Sequence, residues 1–352
     1  MADLTLSFAC TPYDRIMPLI TGEVKPDGIT LDYQGMPGMV PGVFYDQLKF
    51  ARHDLSEFSF SEFLLSRPRG LPYRMLPIFH NRSFSYTWVI VRTESGIRVD
   101  HPEDLKGKRF GTGDYVQTAA LWTRGVLQHE FGVAPQDMIW YQERAQNYSH
   151  AGASGISAPA GVELRYAPTD FATMMLNGDL DACIWHSTQQ GSALDRIRSA
   201  DLSNDPRFPY LFSDIVAEAT RYYQKSGVFP PHHTTIIRES IVKQHPWVAR
   251  SLMEAFDKAK ALAGERLHRT PPTLLVFGQS WVRQIDRDFG KDPFVYGVAP
   301  NAKAIDMVQG FSVEQGLSPR KQPWDEIFPE EILIMEERLP SAAESAPPVA
   351  AG

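Results

Sequence analysis

A short alternation of apolar and polar residues at the start of the chain predicts the first element of secondary structure. Leu4, Leu6 and Phe8 alternate with polar neighbours, which is typical of a β-strand with one buried face. Short apolar runs that predict further strands recur along the chain, at 55–60, 75–79, 87–92, 108–111, 139–141, 163–166, 182–185 and 234–238. The last of these resembles 87–92 in composition, and the two are predicted to pair.

Amphipathic segments lie between these runs. Apolar residues at helical spacing predict helices over 41–50 and 118–131, and a long helix that opens at Pro246. Strands that alternate with helices indicate an α/β fold with mostly parallel sheet. The segment 147–161 is rich in Gly, Ala and Ser and is interpreted as a flexible loop, and the Ala/Pro/Ser-rich tail 341–352 is predicted to be disordered.

Composition narrows the class of protein. The chain has 352 residues, enough for one large or two medium domains, with 43% hydrophobic and 22% charged residues. The 35 basic residues are outnumbered by 42 acidic ones, so a nucleic-acid partner is not expected. Cys10 and Cys183 are far apart and form no CxxC pair, so both are interpreted as small buried hydrophobic residues rather than metal ligands or a disulfide.

The start of the chain bears on location. It has neither a basic region nor a long apolar run of the kind found in secretory signals, so a cytoplasmic location is expected. No stretch approaches 18 apolar residues, and no membrane partner is expected.

Two arginines are candidates for binding an anionic ligand. Arg15 follows the first predicted strand in the sequence Tyr13-Asp14-Arg15, and the carboxyl ends of strands line the ligand crevice of open parallel sheets. A guanidinium there could hold a carboxylate through paired hydrogen bonds. A surface turn in which Asp14 caps the next helix is an equally weighted alternative. Arg82 is a second candidate cation.

A second candidate group lies on the apolar run 55–60. Glu57, Ser59 and Ser61 stand at alternate positions and would share one face of a strand. A carboxylate there needs a partner, and Glu57 could accept a hydrogen bond from a substrate hydroxyl or hold a cation. Capping of the following helix by Ser59 or Ser61 is the alternative interpretation.

The turn between the strand at 108–111 and the helix at 118–131 is a candidate anion site. The sequence Gly111-Thr112-Gly113 continues to Val116, so the third glycine of a dinucleotide fingerprint is missing, as is the Gly-Lys-Ser/Thr of a phosphate-binding loop. What remains is a helix start whose amides suit one small anion, with Tyr115 and Thr118 as candidate ligand contacts.

Two histidines are candidates for proton transfer. His233 follows the rigid pair Pro230-Pro231 and leads into a predicted strand, which suits a general acid or base. His186 follows the strand at 182–185 and would face the same crevice. A hydrogen-bonded structural histidine is the alternative for each. The spacing of His232 and His233 does not favour a metal site.

Taken together, several sequence blocks resemble the 4,5-dihydroxyphthalate decarboxylase family over nearly the whole chain to about residue 333. The most distinctive is Tyr-Tyr-Gln-Lys-Ser-Gly-Val-Phe-Pro at 222–230 with His233. The other blocks are Thr-Pro-Tyr-Asp-Arg at 11–15, Asp-Leu-Ser-Glu-Phe-Ser at 54–59, Tyr-Val-Gln-Thr-Ala-Ala-Leu-Trp-Thr-Arg-Gly at 115–125, Asp-Pro-Phe-Val-Tyr-Gly at 292–297 and Glu-Gln-Gly-Leu-Ser-Pro-Arg at 314–320.

The resemblance implies a two-lobed type II periplasmic-binding-protein-like fold with a central ligand cleft. The first lobe would comprise residues 1–92 and 236–340, and the second lobe residues 93–235. The implied activity is decarboxylation of a hydroxylated aromatic carboxylic acid in aromatic catabolism, without a cofactor or metal. A small aromatic carboxylate would be the partner, and a homo-oligomer is left open.

For such a reaction we infer roles for the candidate residues from their chemistry. His233 would protonate the ring carbon that bears the carboxylate, and Glu57 would accept the phenol proton. The substrate would be held by Arg15, Ser59, Arg82, Tyr115, Thr118 and His186. The chain departs from the family after Ile184, where Trp185-His186 replaces an expected Pro-Arg pair. The missing arginine leaves the exact substrate open. Whether His186 or His233 donates the proton is also open.

Two other functions are compatible with the same fold. A solute-binding protein for a small aromatic or other organic anion is the first alternative, because fold alone does not determine function. Such receptors are exported, so the expected cytoplasmic location favours the enzyme. A thiamine-pyrimidine synthase is the second alternative, but those proteins use a cysteine-rich segment and this chain has two scattered cysteines.

Overall fold

A computed structural model describes residues 3–36, 39–185, 196–271 and 274–337. In this part of the chain the backbone forms ten β-strands, which are β1 (Leu4–Ala9), β2 (Ile29–Tyr33), β3 (Leu55–Ser59), β4 (Tyr73–Arg82), β5 (Val89–Val91), β6 (Arg109–Thr112), β7 (Ile139–Gln142), β8 (Glu163–Tyr166), β9 (Ala182–Ile184) and β10 (Pro231–Arg238). The α-helices of the same residues are α1 (Met17–Ile20), α2 (Met39–Phe50), α3 (Phe60–Ser66), α4 (Thr118–Phe131), α5 (His150–Ala153), α6 (Phe171–Asn177), α7 (Ile215–Ser226), α8 (Glu239–Gln244), α9 (Trp247–Arg269), α10 (Gly278–Phe289), α11 (Ala302–Glu314), α12 (Trp324–Ile327) and α13 (Glu330–Glu337).

The strands form two five-stranded sheets. The first has the order β2-β1-β3-β10-β4, with β1 parallel to β2 and β3 and with β10 antiparallel to both of its neighbours. The second has the order β5-β9-β6-β7-β8, which is parallel except for β5. Each sheet with the helices packed on it is called a lobe below. The predicted α/β class is confirmed.

The chain changes sheets twice, and this corrects one predicted strand pair. β4 and β10 lie in the first sheet, whereas β5 pairs with β9 in the second sheet. The segments 87–92 and 234–238 are therefore not partners, because similar composition does not specify which strand lies alongside. The lobe boundaries after residues 92 and 235 stay a prediction, and the tail 341–352 lies outside the described residues.

The helices predicted from apolar spacing agree with the structure more closely than the predicted strand pair does. Helix α4 has the predicted bounds 118–131, and the residues of α9 that face the core include Val248, Leu252, Phe256 and Ala259. The Gly/Ala/Ser-rich segment 147–161, interpreted as a loop, contains the short helix α5. No helix of the described residues is both long enough and apolar enough to cross a membrane.

Gly125 marks a close contact between helices α4 and α11. A Cβ atom added at this position would lie 2.2 Å from Cδ2 of Phe311, far inside van der Waals contact. Phe311 is itself buried and packs edge-on against Trp122 of α4. The absence of a side chain at Gly125 therefore allows the two helices to approach.

We expect Gly125→Ala to lower the free energy of unfolding by about 1–3 kcal/mol, because the added methyl group overpacks this contact. Gly264→Ala is the matched control, since an added Cβ in helix α9 meets no atom within 4 Å. It should stabilise the protein by up to about 1 kcal/mol through helix propensity. Urea unfolding of both variants measures the difference, and equal effects would contradict the proposed close packing.

Candidate active site

A histidine and a glutamate meet in the first sheet, on neighbouring strands. Glu57 lies on β3 opposite Thr235 of β10, and His233 is two residues from Thr235 on the same face of β10. Diagonal neighbours of this kind are within reach of long side chains. The Nδ1 atom of His233 lies 2.7 Å from Oε1 of Glu57. The sheet register thus brings together the two residues that the sequence suggested as catalytic.

The Glu57 carboxylate is completely buried and is surrounded by hydrogen-bond donors. The Tyr13 hydroxyl donates to Oε1 at 2.8 Å, and the Thr11 N–H donates to Oε2 at 2.9 Å. The Cys10 thiol lies 3.8 Å from the same Oε2 atom. Burial by itself would raise the pKa of Glu57, but the hydrogen bond and the charge of His233 hold that pKa well below its usual range.

The burial of Glu57 bears on the role expected for it, which stays a prediction. The carboxylate is 0% exposed, and both of its oxygen atoms already accept hydrogen bonds from the protein. Acceptance of a proton from a substrate hydroxyl would require contact with the cleft that Glu57 lacks. The carboxylate instead lies behind the imidazole of His233, with Oε1 bonded to Nδ1.

His233 has one ring nitrogen committed and one available. A carboxylate only accepts hydrogen bonds, so Nδ1 is the nitrogen that carries hydrogen toward Glu57. Nε2 has no hydrogen-bond partner among the described residues, and the side chain is 18% exposed. The ring of Phe44 packs edge-on against the imidazole, with ring centroids 5.1 Å apart. Nε2 is therefore the atom that can exchange a proton with a ligand.

Arg15 is held next to this pair by aromatic rings. Its guanidinium lies 4.6 Å from the centroid of Tyr13 and 4.2 Å from that of Phe294. It also donates to the carbonyl of His80 and to Asp14. Since Tyr13 contacts both Arg15 and Glu57, the structure brings the predicted anion-binding arginine close to the proton-transfer pair. A guanidinium fixed in this way is preorganised for a carboxylate.

His80 is a buried neighbour that sequence reasoning did not single out. Its ring stacks on Tyr13 with an interplanar angle of 9°, and its Nε2 lies 2.6 Å from the hydroxyl of Thr235. Burial lowers the pKa of His80 to about 3, so the ring stays neutral near Arg15. Its position in the middle of β4 gave no signal in the sequence, because nothing there distinguishes it from a core residue.

Arg82 has a different environment from the one expected. Its guanidinium is buried and donates to the carbonyls of Phe229 and Val295, at 2.8 Å each, and to the side chain of Asn301. Burial lowers the pKa of Arg82 to about 10. These contacts join the end of β4 to two later segments of the chain. Its guanidinium thus has protein acceptors, and the expected substrate contact stays a prediction.

The lobes are connected by hydrogen bonds of Ser59, Ser61 and Thr118. Ser59 caps helix α3 by accepting from the Glu62 N–H, and its hydroxyl lies 2.9 Å from that of Thr118. The Thr118 hydroxyl also accepts from the Ser61 N–H at 3.0 Å. The capping alternative for Ser59 is thus confirmed. Ser59 and Thr118 are both buried and bond to each other, and their contact with a substrate stays a prediction.

Tyr115 and His186 complete the predicted set. Tyr115 is buried beneath the guanidinium of Arg124, 3.8 Å from the ring centroid, and lines a cavity of about 420 Å³ with Gln142 and Gln146. That cavity lies under the 147–161 segment in the second lobe. His186 lies outside the described residues, and its role stays a prediction.

A second histidine–carboxylate pair lies between the lobes, and the sequence analysis missed it. Nδ1 of His150 is 2.7 Å from Oε1 of Glu62, and both residues are buried. Glu62 lies on the same short segment as Glu57, but no signal in the sequence links it to a histidine 88 positions away. Among the described residues, no group of three or more His, Cys, Asp or Glu side chains is placed to hold a metal ion. Cys10 and Cys183 are buried free thiols, as expected.

Solved structures with a similar fold indicate the fold class of this chain. The chain superposes on a putative periplasmic sulfonate-binding protein SsuA from Methylobacillus flagellatus with a TM-score of 0.51 at 11% identity, covering 95% of this chain and 94% of that protein. The alkanesulfonate-binding protein SsuA from Xanthomonas axonopodis pv. citri, bound to MOPS, gives 0.50 at 13% identity, covering 96% and 97%. The fold is therefore the two-lobed type II periplasmic-binding-protein fold, as expected.

Sequence relatives identify the family. A 4,5-dihydroxyphthalate decarboxylase from Comamonas testosteroni is 33% identical over 333 residues, covering 93% of this chain and 97% of the relative. A second from Pseudomonas putida is 30% identical over 227 residues, covering 64% and 83%. No protein-family model matches the chain. The chain belongs to the 4,5-dihydroxyphthalate decarboxylase family of carboxy-lyases.

The buried pair predicts how stability depends on pH. We expect Glu57→Gln to lower the free energy of unfolding by about 3 kcal/mol at neutral pH, since one partner of a buried pair loses its charge. The depressed pKa of Glu57 adds stability above the unfolded-state pKa of glutamate, about 4.3, and this is lost as the pH falls. The difference between wild type and variant should therefore shrink from about pH 5 downward.

Denaturant unfolding at several pH values measures this difference. Glu94→Gln is the control, because the Glu94 side chain is 83% exposed and its replacement should change stability by less than about 0.5 kcal/mol. A Glu57→Gln variant as stable as this control at neutral pH would show that the buried carboxylate is not held as described.

Proposed function

We propose that this chain catalyses the loss of carbon dioxide from a hydroxylated aromatic carboxylic acid of the 4,5-dihydroxyphthalate type, without a cofactor. The single observation that supports the mechanism most directly is the orientation of His233, whose Nδ1 is bonded to Glu57 and whose Nε2 is free of partners among the described residues. Membership of a decarboxylase family supports the reaction class. A cytoplasmic location remains a prediction.

The proposed reaction moves one proton and breaks one carbon–carbon bond. Protonated His233 transfers the Nε2 proton to the ring carbon that bears the carboxylate, while the ring hydroxyl supplies electron density. Carbon dioxide then leaves, and the electron pair of the broken bond restores the aromatic ring. The product keeps the proton, and neutral His233 takes a new one from water.

Glu57 would act through His233 rather than on the substrate. Its hydrogen bond to Nδ1 fixes the ring and leaves Nε2 as the nitrogen that can reach a substrate. The raised pKa of Tyr13, caused by burial and by the charge of Glu57, keeps its hydroxyl protonated as a donor to the carboxylate. Two residues thus hold the acid in one orientation before the substrate arrives.

Arg15 would orient the substrate carboxylates. It lies one aromatic ring away from the Glu57–His233 pair, and its side chain remains 12% exposed. Arg82 is buried among protein acceptors, so Arg15 is the better supported of the two predicted arginines. Closure of the lobes would exclude water from the reacting groups.

Turnover tests the proposed acid. Carbon dioxide release from a panel of hydroxylated benzene carboxylates, with and without a chelator, should identify a substrate. His233→Asn keeps a donor toward Glu57 but lacks an acid, so its kcat should fall by about 10²–10⁴-fold. His101→Asn, in which an exposed histidine is replaced, should keep the wild-type rate.

The outcome distinguishes the alternatives. Wild-type turnover by His233→Asn would exclude this histidine as the general acid. Tight binding of the panel without any turnover would support a solute-binding protein for organic anions instead. Loss of activity with the chelator would contradict a metal-free reaction.

Arg15→Lys tests the carboxylate contact. Lysine retains the charge but cannot stack between two rings or form paired hydrogen bonds, so KM should rise about tenfold with a smaller change in kcat. The exposed Arg98→Lys is the control and should leave KM unchanged. An unchanged KM in Arg15→Lys would place the carboxylate elsewhere.

A further inference from the structure

The lobes meet at a second place, away from the Glu57–His233 pair. There the segment that follows β7 in the second lobe lies against α2 and α3 of the first. The Tyr45 hydroxyl donates to the Asn147 carbonyl at 3.2 Å, and the hydroxyls of Ser66 and Ser154 are 3.0 Å apart. His150 stands at the centre of this contact, and its side chain is almost completely buried.

Both ring nitrogens of His150 face acceptors. Nδ1 lies 2.7 Å from Oε1 of Glu62, and Nε2 lies 3.1 Å from the carbonyl oxygen of Pro41. A carbonyl accepts only, and so does a carboxylate, so both nitrogens must donate for both bonds to form. The pair therefore holds one proton more than a neutral imidazole and a free carboxylate would hold. The same count applies if the extra proton sits on Glu62.

The charged groups around His150 agree with this count. On its own lobe, Asp114 accepts from the His150 N–H at 2.9 Å, and Arg144 lies 3.6 Å from the same carboxylate. Across the cleft it faces Glu62 of α3 and the phenol ring of Tyr45 of α2. Two buried carboxylates therefore lie near His150, and a positive charge on the imidazole is favourable beside them.

Helix α2 connects this contact to the proposed acid. Pro41 and Tyr45 of α2 touch the second lobe, and Phe44 of the same helix packs edge-on against His233. Its ring centroid lies 6.4 Å from that of His150. Helix α2 therefore takes part both in the interlobe contact and in the wall of the site at His233.

We propose that His150 is a positioning residue that holds the lobes closed over His233 when it shares an extra proton with Glu62. The closed form takes up one proton relative to the open form, so closure is favoured at low pH and is lost as the pH rises through the range where histidine titrates. The consequence for catalysis rests on the proposed function, but the closure itself does not.

Glu62→Gln gives a sharp test, because it should remove the pH dependence without removing the contact. A glutamine amide can donate to an unprotonated Nδ1 while the Nε2–H donates to the Pro41 carbonyl, so a neutral His150 satisfies every bond. In wild type, Oε1 of Glu62 bonds to His150, while Oε2 is buried without a hydrogen-bond partner among the described residues. The replacement therefore breaks no other hydrogen bond of this carboxylate within those residues.

The distance between the lobes can be measured by electron–electron double resonance on the full chain. Spin labels at Lys49→Cys in α2 and Arg165→Cys in β8 report the separation, since both positions are exposed and both natural cysteines are buried. From about pH 6 to about pH 9, the wild-type background should shift to longer distances. Glu62→Gln should keep the short distance throughout. A pH-independent wild type, or a variant that opens at the same pH as wild type, would overturn the proposal.

The pH dependence of KM and kcat is a second measurement, and a purely structural role of His150 would not change it in the same way. The wild-type KM should rise about tenfold over this pH range with less change in kcat, while the KM of Glu62→Gln stays flat. Failure of the decarboxylase proposal would remove this assay but leave the distance measurement intact. The two proposals can therefore fail independently.

Discussion

The need to satisfy one buried carboxylate organises the centre of this protein. Glu57 is fully inside the first lobe, where an unpaired negative charge would cost several kcal/mol. Its partners come from two segments, since Thr11 and Tyr13 follow β1 while His233 lies on β10. The carboxylate is therefore stable only when strands that are distant in sequence are already side by side. The same requirement fixes the orientation of His233, so one constraint serves both the fold and the proposed chemistry.

The two histidine–carboxylate pairs have the same residue types, but their burial and hydrogen bonds suit them to different roles. His233 shares its pair within one lobe, keeps Nε2 free of partners among the described residues and is partly exposed, which suits proton transfer. His150 shares its pair across the lobes, has both nitrogens bonded and is buried, which suits closure. Phe44 packs against both rings, so the two pairs are neighbours through a single aromatic side chain. A fold shared with binding proteins thus acquires groups suited to chemistry by the placement of a few side chains.

The sequence anticipated a useful part of the site and misjudged another part. Arg15 and Arg82 were both candidate cations in the sequence, but the Arg15 guanidinium packs on an aromatic ring whereas that of Arg82 is enclosed by carbonyls. Ser59 was open between ligand contact and helix cap, and the hydrogen bond from the Glu62 N–H decides for the cap. His80 and His150 were missed because burial and partners, not residue type, give them their roles.

The sequence by itself indicated many of the strands, three of the helices, the α/β class and the family. Apolar spacing predicted the bounds of helix α4 correctly. Helix periodicity is a local property of the sequence, so it can be recognised without knowing which segments pack against the helix. The shared sequence blocks indicated the family, and with it the two-lobed fold. Only the tertiary structure decided which strands pair, which arginine is exposed and which carboxylate meets which histidine. Those contacts join residues as far apart as Glu57 and His233, and their energies depend on burial and geometry that no local pattern encodes.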